Sequence, residues 1–435
     1  MKYYSTKDKN HRVSLKEAVL QGLAPDQGLY MPEQINSLPK SFFDSISSLS
    51  FQEIGLKVAA QLLGDDIPPA ELERIVKHTI TFDAPLVEVE NDIFALELFH
   101  GPTLAFKDFG ARFLSGLLGY FAKQQDKEIT ILVATSGDTG SAVANGFFNV
   151  PGTRVVVLYP SGKVSDVQEK QFTTLGGNIT ALEVDGTFDD CQRIVKQAFS
   201  DEELKSKLFL TSANSINIAR LIPQSFYYFY SYSQLENKNK PVVFSVPSGN
   251  FGNLTAGLIA KKMGLPIQKF IAATNLNKVV PDFFSTKAFK SMASISTISN
   301  AMDVGNPSNF PRMYDLYGND FDLLSADVVS YYFTDDQTRA AMREVYGTNN
   351  YVMDPHGAVG YLGLKRYHDK YSGATGIFLE TAHPGKFNEV VEETLNTKIT
   401  LPQRLADFMP RTKRSIKISS HFDDFKSLLP TLISQ

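Results

Sequence analysis

The feature that most constrains the fold is a series of short apolar segments that alternate with helical segments beyond about residue 84. The strand candidates are 93–99, 130–134, 154–159, 179–184, 241–246, 269–273 and 375–380. Strands that alternate with helices are typical of a parallel sheet covered by helices on both faces. The sequence therefore predicts an α/β core.

The first part of the chain lacks this alternation. Helical patterns occur from Val13 to Gln21, with Ser14 as a candidate N-cap, and near 51–63 and 69–79. We therefore expect a mostly helical N-terminal domain over residues 1–82. Beyond Pro402 a further helical signal occurs at about 420–430.

Lys107 occupies a chemically unusual position. The strand at 93–99 is followed by the break Gly101-Pro102, and apolar residues then recur at helical spacing from Phe106, so Lys107 falls in the first turn of a helix. The positive end of the helix dipole disfavours an ammonium group there. The position predicts a lysine with a lowered pKa, as Schiff-base chemistry with a carbonyl cofactor requires. A surface lysine near a helix start is the alternative.

Two turns follow predicted strands in the first half of the core. The strand at 130–134 runs into Thr135-Ser136-Gly137-Asp138-Thr139-Gly140, and the strand at 154–159 is followed by a loop that carries Lys163. Such turns place backbone N–H groups and hydroxyls at the carboxyl edge of the sheet, where open α/β proteins bind ligands. Both turns are therefore candidate binding loops.

A candidate anion site follows the strand at 241–246. The loop reads Pro247-Ser248-Gly249-Asn250-Phe251-Gly252-Asn253, and a helix continues to about Met263. Glycines allow close approach of a ligand, and the first amides of a helix suit a phosphate. A plain turn with glycines for geometry alone is the alternative. Neither GxGxxG nor GxxxxGK[ST] occurs, which argues against dinucleotide and NTPase sites.

Three further segments carry polar groups to this region. Asn214, Ser215 and Arg220 lie within about two helical turns of one another and would suit a phosphate or carboxylate. The segment 301–309 is too polar and turn-rich for a core, and is either a loop near the site or an ordinary surface connection. Thr381 follows the strand at 375–380 and would stand at the same carboxyl edge.

Composition excludes several classes of protein. The 435 residues suggest two or three domains, and 43% apolar with 21% charged residues is ordinary for a globular chain. A net charge of -4 gives no case for nucleic acid or an anionic membrane as partner. Cys191 alone cannot form an intramolecular disulfide, and neither a signal peptide nor a membrane-spanning apolar run occurs. A cytoplasmic chain is expected.

Other catalytic classes lack their motifs. No HExxH and no paired spacing of His with Cys or carboxylate occurs, so no metal site is expected. A serine-hydrolase site has no GxSxG motif to support it.

Together, Lys107, the turn 136–140 and the loop 248–253 make the chain resemble the threonine synthase family of fold-type II pyridoxal-phosphate (PLP) enzymes. The resemblance extends from Tyr3-Tyr4-Ser5-Thr6 to Thr381-Ala382-His383-Pro384. It implies a PLP-binding α/β core over 83–400 with large and small parallel-sheet subdomains, the smaller at about 112–212, and a C-terminal extension over 401–435. The N-terminal domain is itself a mark of this family.

The resemblance also implies residue roles. Lys107 is similar to the lysine that binds the cofactor covalently and later moves protons. The implied cofactor-binding residues are Lys107, Asp138, Gly249, Asn250, Phe251, Gly252, Asn253 and Thr381, the last facing the pyridine nitrogen. The residues implied for the substrate's phosphate are Thr135, Ser136, Lys163, Asn214, Ser215 and Arg220. Asp138 stands where many fold-type II enzymes have an asparagine beside the cofactor's 3′-oxygen, and two anions there would repel unless one is protonated or the side chain turns away.

The implied reaction converts O-phospho-L-homoserine and water into L-threonine and phosphate. It is a γ-elimination followed by a β-addition, and it is the last step of threonine biosynthesis. Alternatives are another fold-type II PLP lyase, such as a serine or threonine dehydratase, and a non-catalytic ligand-binding relative. A nicotinamide-dependent dehydrogenase is a further alternative, although the GxGxxG motif that binds its cofactor does not occur in the sequence. The oligomeric state is not fixed by the sequence, and a monomer is one state that it allows.

Overall fold

The computed structural model describes residues 1–125 and 127–433. Ser434 and Gln435, at the end of the predicted C-terminal extension, lie outside the described residues. Among the described residues, no helix is both long enough and apolar enough to cross a bilayer.

The N-terminal part combines a small sheet with four helices. Strands β1, β2 and β3 pair antiparallel in the order β2-β1-β3. The elements are β1 Lys2–Ser5, β2 Arg12–Ser14, α1 Leu15–Gln21, β3 Tyr30–Pro32, α2 Lys40–Ser45, α3 Phe51–Leu63 and α4 Pro69–Thr79. Ser14 caps α1 in a capping box with Glu17, so the predicted N-cap is confirmed. The three strands were not predicted, because runs of three or four residues are too short to show a period of two.

A six-stranded sheet forms the centre of the larger subdomain. Its strand order is β12-β11-β10-β13-β5-β4, and all pairs are parallel except that of β4 with β5. The strands are β4 Leu86–Glu90, β5 Ile93–Glu97, β10 Val242–Pro247, β11 Ile267–Thr274, β12 Val328–Tyr332 and β13 Thr375–Glu380.

A five-stranded parallel sheet forms the smaller subdomain, in the order β14-β8-β7-β6-β9. The strands are β6 Ile129–Ala134, β7 Thr153–Pro160, β8 Ile179–Asp185, β9 Phe209–Ser212 and β14 Ile416–Ser419. The edge strand β14 belongs to the predicted C-terminal extension, so the extension supplies part of this sheet. The proposed boundaries at 82, 112, 212 and 400 stay predictions.

Helices cover both sheets. The remaining helices are α5 Lys107–Ala122, α6 Asp138–Phe147, α7 Asp166–Thr173, α8 Phe188–Ser200, α9 Glu202–Lys207, α10 Ile218–Leu221, α11 Phe226–Gln234, α12 Gly252–Lys262, α13 Val279–Thr286, α14 Phe310–Asp315, α15 Phe321–Asp327, α16 Asp335–Asn349, α17 Pro355–His368, α18 Asn388–Leu395, α19 Gln403–Ala406 and α20 Phe422–Ile433. Short 3-10 turns lie at Ile46–Ser48, Gly64–Asp66, Ile222–Ser225, Asn300–Met302 and Pro384–Phe387.

The predicted α/β architecture is confirmed. Each predicted strand is present with bounds within two residues of the prediction, and the helices at 51–63 and 69–79 have the predicted bounds. The helix predicted at about 420–430 is present as Phe422–Ile433. The largest apolar core joins the N-terminal helices to α5 and to the strands of both sheets. Helix α5, which begins at Lys107, packs against α4, α6 and α10 and so lies at the junction of all three parts.

Candidate active site

The backbone before Lys107 is fixed by the end of β13. Phe106 donates its N–H to the carbonyl of Thr381 at 2.9 Å, and the N–H of His383 donates to the carbonyl of Leu104 at 3.0 Å. Leu104 adopts a left-handed conformation with φ of 58°. Such strain persists only where the surroundings hold it, and it concentrates at functional sites. These contacts bring the start of α5 next to Thr381.

Lys107 lies in a buried, charged environment. Its side chain is 17% exposed, and its Nζ is 3.4 Å from Oδ2 of Asp138. Burial lowers the pKa of Lys107, and the positive charges of Lys386 and Arg220 lower it further against the opposing effect of Asp138. The predicted direction is right, but the main cause is burial rather than the helix terminus.

Asp138 begins α6 and is almost fully buried. Its Oδ1 accepts hydrogen bonds from Nζ of Lys386 at 2.7 Å and from Nε2 of Gln168 at 2.8 Å. Burial alone would raise the pKa of Asp138, but the ammonium groups of Lys386 and Lys107 hold it far below its usual value. Asp138 is therefore a carboxylate between two lysines.

The turn that leads to Asp138 is built around Thr135. Its Oγ1 accepts the N–H groups of Gly137 at 2.9 Å and Gly140 at 2.7 Å, which closes the turn. Gly137 has φ of 140°, and a Cβ there would lie 2.6 Å from the Gln168 side chain. Only glycine fits this position. Ser136, next in the turn, lines the cavity described below.

The predicted anion loop joins β10 to α12. A Cβ on Gly249 would lie 2.8 Å from the Cα of Met302, so the loop packs closely on the segment 300–308. Asn250 Oδ1 accepts the N–H of Ser308 at 3.2 Å and its hydroxyl at 3.0 Å. Phe251 is left-handed with φ of 62°, immediately before α12 begins at Gly252. The segment 301–309 is thus a loop at the site, as the sequence analysis allowed.

Asn253 leaves a hydrogen-bond donor free. Its Oδ1 accepts the hydroxyls of Tyr227 at 2.7 Å and Tyr228 at 2.8 Å. Its Nδ2 is buried and has no hydrogen-bond partner among the described residues. Buried donors are nearly always satisfied, so an unpaired one beside a cavity calls for a ligand that accepts.

The segment 212–220 brings a second set of donors. Arg220 is 3% exposed, its Nη1 donates to the carbonyl of Ala213 at 2.6 Å, and its Nε has no partner among the described residues. Burial lowers the pKa of Arg220 to about 10. Asn214 donates to the carbonyl of Ala134 at 3.0 Å, which joins this segment to the end of β6. Ser215 Oγ is 3.4 Å from Oγ of Ser308.

One cavity of about 1790 Å³ brings these residues together at the carboxyl ends of strands from both sheets. Every predicted site residue lines it: Lys107, Thr135, Ser136, Asp138, Lys163, Asn214, Ser215, Arg220, Gly249, Asn250, Phe251, Gly252, Asn253 and Thr381. The N-terminal part also lines it, through residues such as Thr6 and Gln21, which the sequence analysis did not identify.

Sequence reasoning also missed Lys386 and Gln168. Lys386 is fully buried in the 3-10 turn Pro384–Phe387, and Gln168 lies in α7. A signal for Lys386 existed, because it lies five residues after Thr381 in a segment that follows a buried strand. Gln168 gave none, since its role arises only from the packing of α7 against α6.

Comparison with known proteins identifies the class and then the family. A family model described as pyridoxal-phosphate dependent enzyme matches residues 77–379, so the chain is an enzyme of the PLP-dependent class. Two further models, threonine synthase N terminus and threonine synthase C-terminal, match residues 2–80 and 357–428. The threonine synthase of Escherichia coli is 49% identical over 411 residues, 94% of each chain, and that of Saccharomyces cerevisiae is 35% identical over 491 residues, 97% of this chain and 95% of the relative.

Solved structures agree with the sequence relatives. The crystal structure of threonine synthase from Escherichia coli superposes with a TM-score of 0.93 at 45% identity, covering 99% of this chain and 100% of that one. The PLP-bound threonine synthase from Brucella melitensis superposes with a TM-score of 0.92 at 35% identity, covering 99% of each chain. The chain belongs to the threonine synthase family. Its function is that of a threonine synthase, a lyase that uses PLP.

The loop 249–253 fits the phosphate group of this cofactor. The first amides of α12 and the unpaired Nδ2 of Asn253 offer donors, and the dipole of an 11-residue helix adds positive potential. A phosphate there would satisfy the donor that the described residues leave free.

Proposed function

We propose that the chain converts O-phospho-L-homoserine and water into L-threonine and inorganic phosphate. The observation that supports this substrate is the presence of two separate groups of anion-binding donors around one buried lysine. A lyase acting on an unphosphorylated amino acid needs only the first group, for its cofactor. The second group, around Arg220, has no such use.

The first group would hold the cofactor. Lys107 would carry it covalently, the loop 249–253 would bind its phosphate, and Thr381 would face the pyridine nitrogen. A hydroxyl at that position does not keep the ring nitrogen protonated as a carboxylate would. When bound, PLP supplies an electron sink for the pair released as the substrate loses its Cα proton.

The second group would hold the phosphate of the substrate. Arg220 provides a buried guanidinium with a free donor at Nε, and Asn214 and Ser215 line the cavity beside it. Thr135, Ser136 and Lys163 line the same cavity and complete the proposed set. The oxygen of Thr135 already accepts two backbone N–H groups, so toward an anion it can act only through its hydroxyl hydrogen.

Lys107 is the base that we assign to the proton transfers. Its lowered pKa increases the neutral fraction of the amine, which can take a proton. The amine removes the proton from Cα, and a Cβ proton leaves before phosphate departs from Cγ. Cγ then takes up a proton in place of the one lost from Cβ, water adds its hydroxyl at Cβ, and Lys107 returns a proton to Cα. The remaining proton of the water goes to the departing phosphate, so the products are threonine and inorganic phosphate.

Product analysis of the purified protein tests this proposal. We expect stoichiometric inorganic phosphate and threonine from phosphohomoserine, and no comparable ammonia release from serine or threonine. Ammonia and an α-keto acid without phosphate release would instead identify a dehydratase.

Replacement of Arg220 by alanine tests the division into two anion sites. We expect kcat/KM for phosphohomoserine to fall by at least about tenfold, because a charged hydrogen-bond donor to the substrate is lost. The visible absorption of the bound cofactor should stay intact. The control is Arg343→Ala, which changes an exposed arginine of α16. Loss of the cofactor from the Arg220 variant would contradict the division.

We also propose a cytoplasmic location, which rests on the sequence expectation, and a monomer, which is one of the states that the sequence allows. Cell fractionation and sedimentation equilibrium test them directly.

A further inference from the structure

Lys386 is a fully buried lysine outside the set that the sequence identified. It lies in the 3-10 turn Pro384–Phe387, in which the N–H of Gly385 donates to Nδ1 of His383 at 3.0 Å. Its Nζ donates to Oδ1 of Asp138 at 2.7 Å and to the carbonyl of Thr103 at 2.7 Å. An ammonium group with no exposure is rare unless it is paired. The ion pair with Asp138 therefore compensates the cost of burying the charge of Lys386.

The two oxygens of Asp138 have different partners. Oδ1 is bound by Lys386 and by Gln168, whereas Oδ2 faces Lys107 at the longer distance of 3.4 Å. The carboxylate is thus anchored from the side away from Lys107. Pairing with Lys386 would weaken the repulsion expected between Asp138 and an anionic oxygen of the cofactor, because the ammonium group compensates the charge of the carboxylate.

The charges around this cluster come from several elements. Lys107 is faced by Asp138 of α6, by Lys386 of the 3-10 turn and by Arg220 of α10. Lys386 is also faced by the buried Asp108 of α5 and by His383. Burial and nearby positive charge lower the pKa of His383 to about 4, so this histidine is neutral near pH 7 and adds no cation.

We propose that Lys386 is a positioning residue of the active site, whose buried ammonium holds Asp138 through Oδ1 and leaves Oδ2 at 3.4 Å from Lys107, so that Asp138 does not form a tighter ion pair with Lys107. Without Lys386, the Lys107 nitrogen is the one cation left in an ion pair with Asp138 among the described residues. That nitrogen would then hold its proton to a higher pH, because a like charge is gone and the opposite charge is closer. Lys386 thus favours the proton-free form of Lys107, and the inference rests on the proposed role of Lys107.

The pH dependence of the visible absorption of the holoenzyme tests this role. In Lys386→Met, we expect the midpoint of the absorption change to rise by about one pH unit or more, because opposite charges in contact shift a pKa by that amount. We also expect a lower kcat with little change in KM. The control is Lys365→Met, because Lys365 of α17 pairs with Glu90 and does not line the cavity. The absorption midpoint of this variant should equal that of the native protein. A native midpoint in Lys386→Met would overturn the proposal.

A double variant covers the case in which Lys386→Met binds no cofactor or does not fold. If Lys386 acts by compensating Asp138, then D138N should restore much of the thermal stability that K386M removes, and the two losses should not add. If the double variant loses the sum of both single losses, Lys386 serves packing alone and the proposal is wrong.

Borohydride reduction separates this failure from failure of the proposed function. Cofactor fixed on a residue other than Lys107 in the native protein would refute the assignment of Lys107. Cofactor fixed on Lys107 in both proteins, with equal absorption midpoints, would refute only the role of Lys386.

Discussion

At the scale of single residues, the site depends on buried charges that compensate one another. Lys107, Lys386 and Arg220 contribute positive charge, and Asp138 and Asp108 contribute negative charge, within one buried region. Each charge would be costly alone, because burial disfavours an ionised group unless a partner lies nearby. The lowered pKa of Lys107 and the strongly lowered pKa of Asp138 are two results of the same arrangement.

Acid denaturation should reveal the contribution of Asp138. Its pKa in the folded protein lies far below the unfolded value of 3.8, so its stabilising effect is fully present above about pH 4 and is lost as the pH falls further. In Asp138→Asn the free energy of unfolding should be lower at pH 7. Below about pH 4 it should fall less steeply with decreasing pH than in the native protein, because unfolding then takes up as much as one proton fewer. Urea denaturation at a series of pH values measures this, with the exposed Asp65→Asn as control. Parallel curves for native and Asp138→Asn proteins would contradict it.

At the scale of elements, the smaller sheet is completed from the end of the chain. Strand β14 pairs parallel with β8, and α20 packs on α8. Phe425 and Leu429 of α20 are fully buried in a cluster with Cys191 and Ile194 of α8. The turns that carry Asp138 and Lys163 follow strands β6 and β7 of this sheet. By packing on α8, the last helix therefore stabilises the sheet from which both turns begin.

Replacement of Phe425 by alanine should therefore destabilise the fold. We expect a loss of about 3–5 kcal/mol in the free energy of unfolding, as for other fully buried phenylalanines. Ser427→Ala changes an exposed residue of the same helix and should stay within about 0.5 kcal/mol of the native value. Chemical denaturation gives both numbers. A loss below about 1 kcal/mol for the Phe425 variant would show that α20 does not support the sheet.

At the scale of the whole molecule, one arginine joins three distant segments. Arg312 of α14 is fully buried, and its guanidinium donates to the carbonyls of Tyr30 at 3.1 Å, Ser215 at 3.1 Å and Ile216 at 2.6 Å. Burial lowers its pKa to about 9. Arg312 thus fixes the segment that carries the proposed substrate-phosphate donors against the N-terminal part. The N-terminal part belongs to the active-site structure rather than standing apart from it.

Replacement of Arg312 by methionine should destabilise the molecule by at least about 3 kcal/mol, because one buried and two partly buried carbonyls would lose their donors. KM for the substrate should rise as well, since the segment around Ser215 is released. Denaturation and steady-state kinetics measure the two effects, with the exposed Arg343→Met as control. Normal stability together with a native KM would show that Arg312 has no such role.

The sequence predicted features that depend on neighbouring residues and missed features that depend on contacts between residues far apart in the chain. The helix that begins at Lys107, the capped helix after Ser14 and the turn into α12 are determined locally, and their patterns predicted them. The motifs also predicted that the candidate site residues lie close together, because the carboxyl ends of parallel strands meet at one edge of a sheet. The positions of β14 and Arg312 depend on partners more than 100 residues away, which no local pattern encodes. For Lys386 the one local signal is its place five residues after Thr381, and its pairing with the distant Asp138 has none.

The covalent link between Lys107 and PLP is the central claim, and peptide mapping after borohydride reduction tests it most directly. Reduction fixes the cofactor on the nitrogen that carries it, and mass spectrometry of the digested protein then locates it. We predict that the cofactor mass is found on the peptide containing Lys107, and that Lys107→Ala shows neither the modification nor turnover. Modification of Lys386, the other buried lysine beside Asp138, or retained activity in Lys107→Ala, would contradict the account.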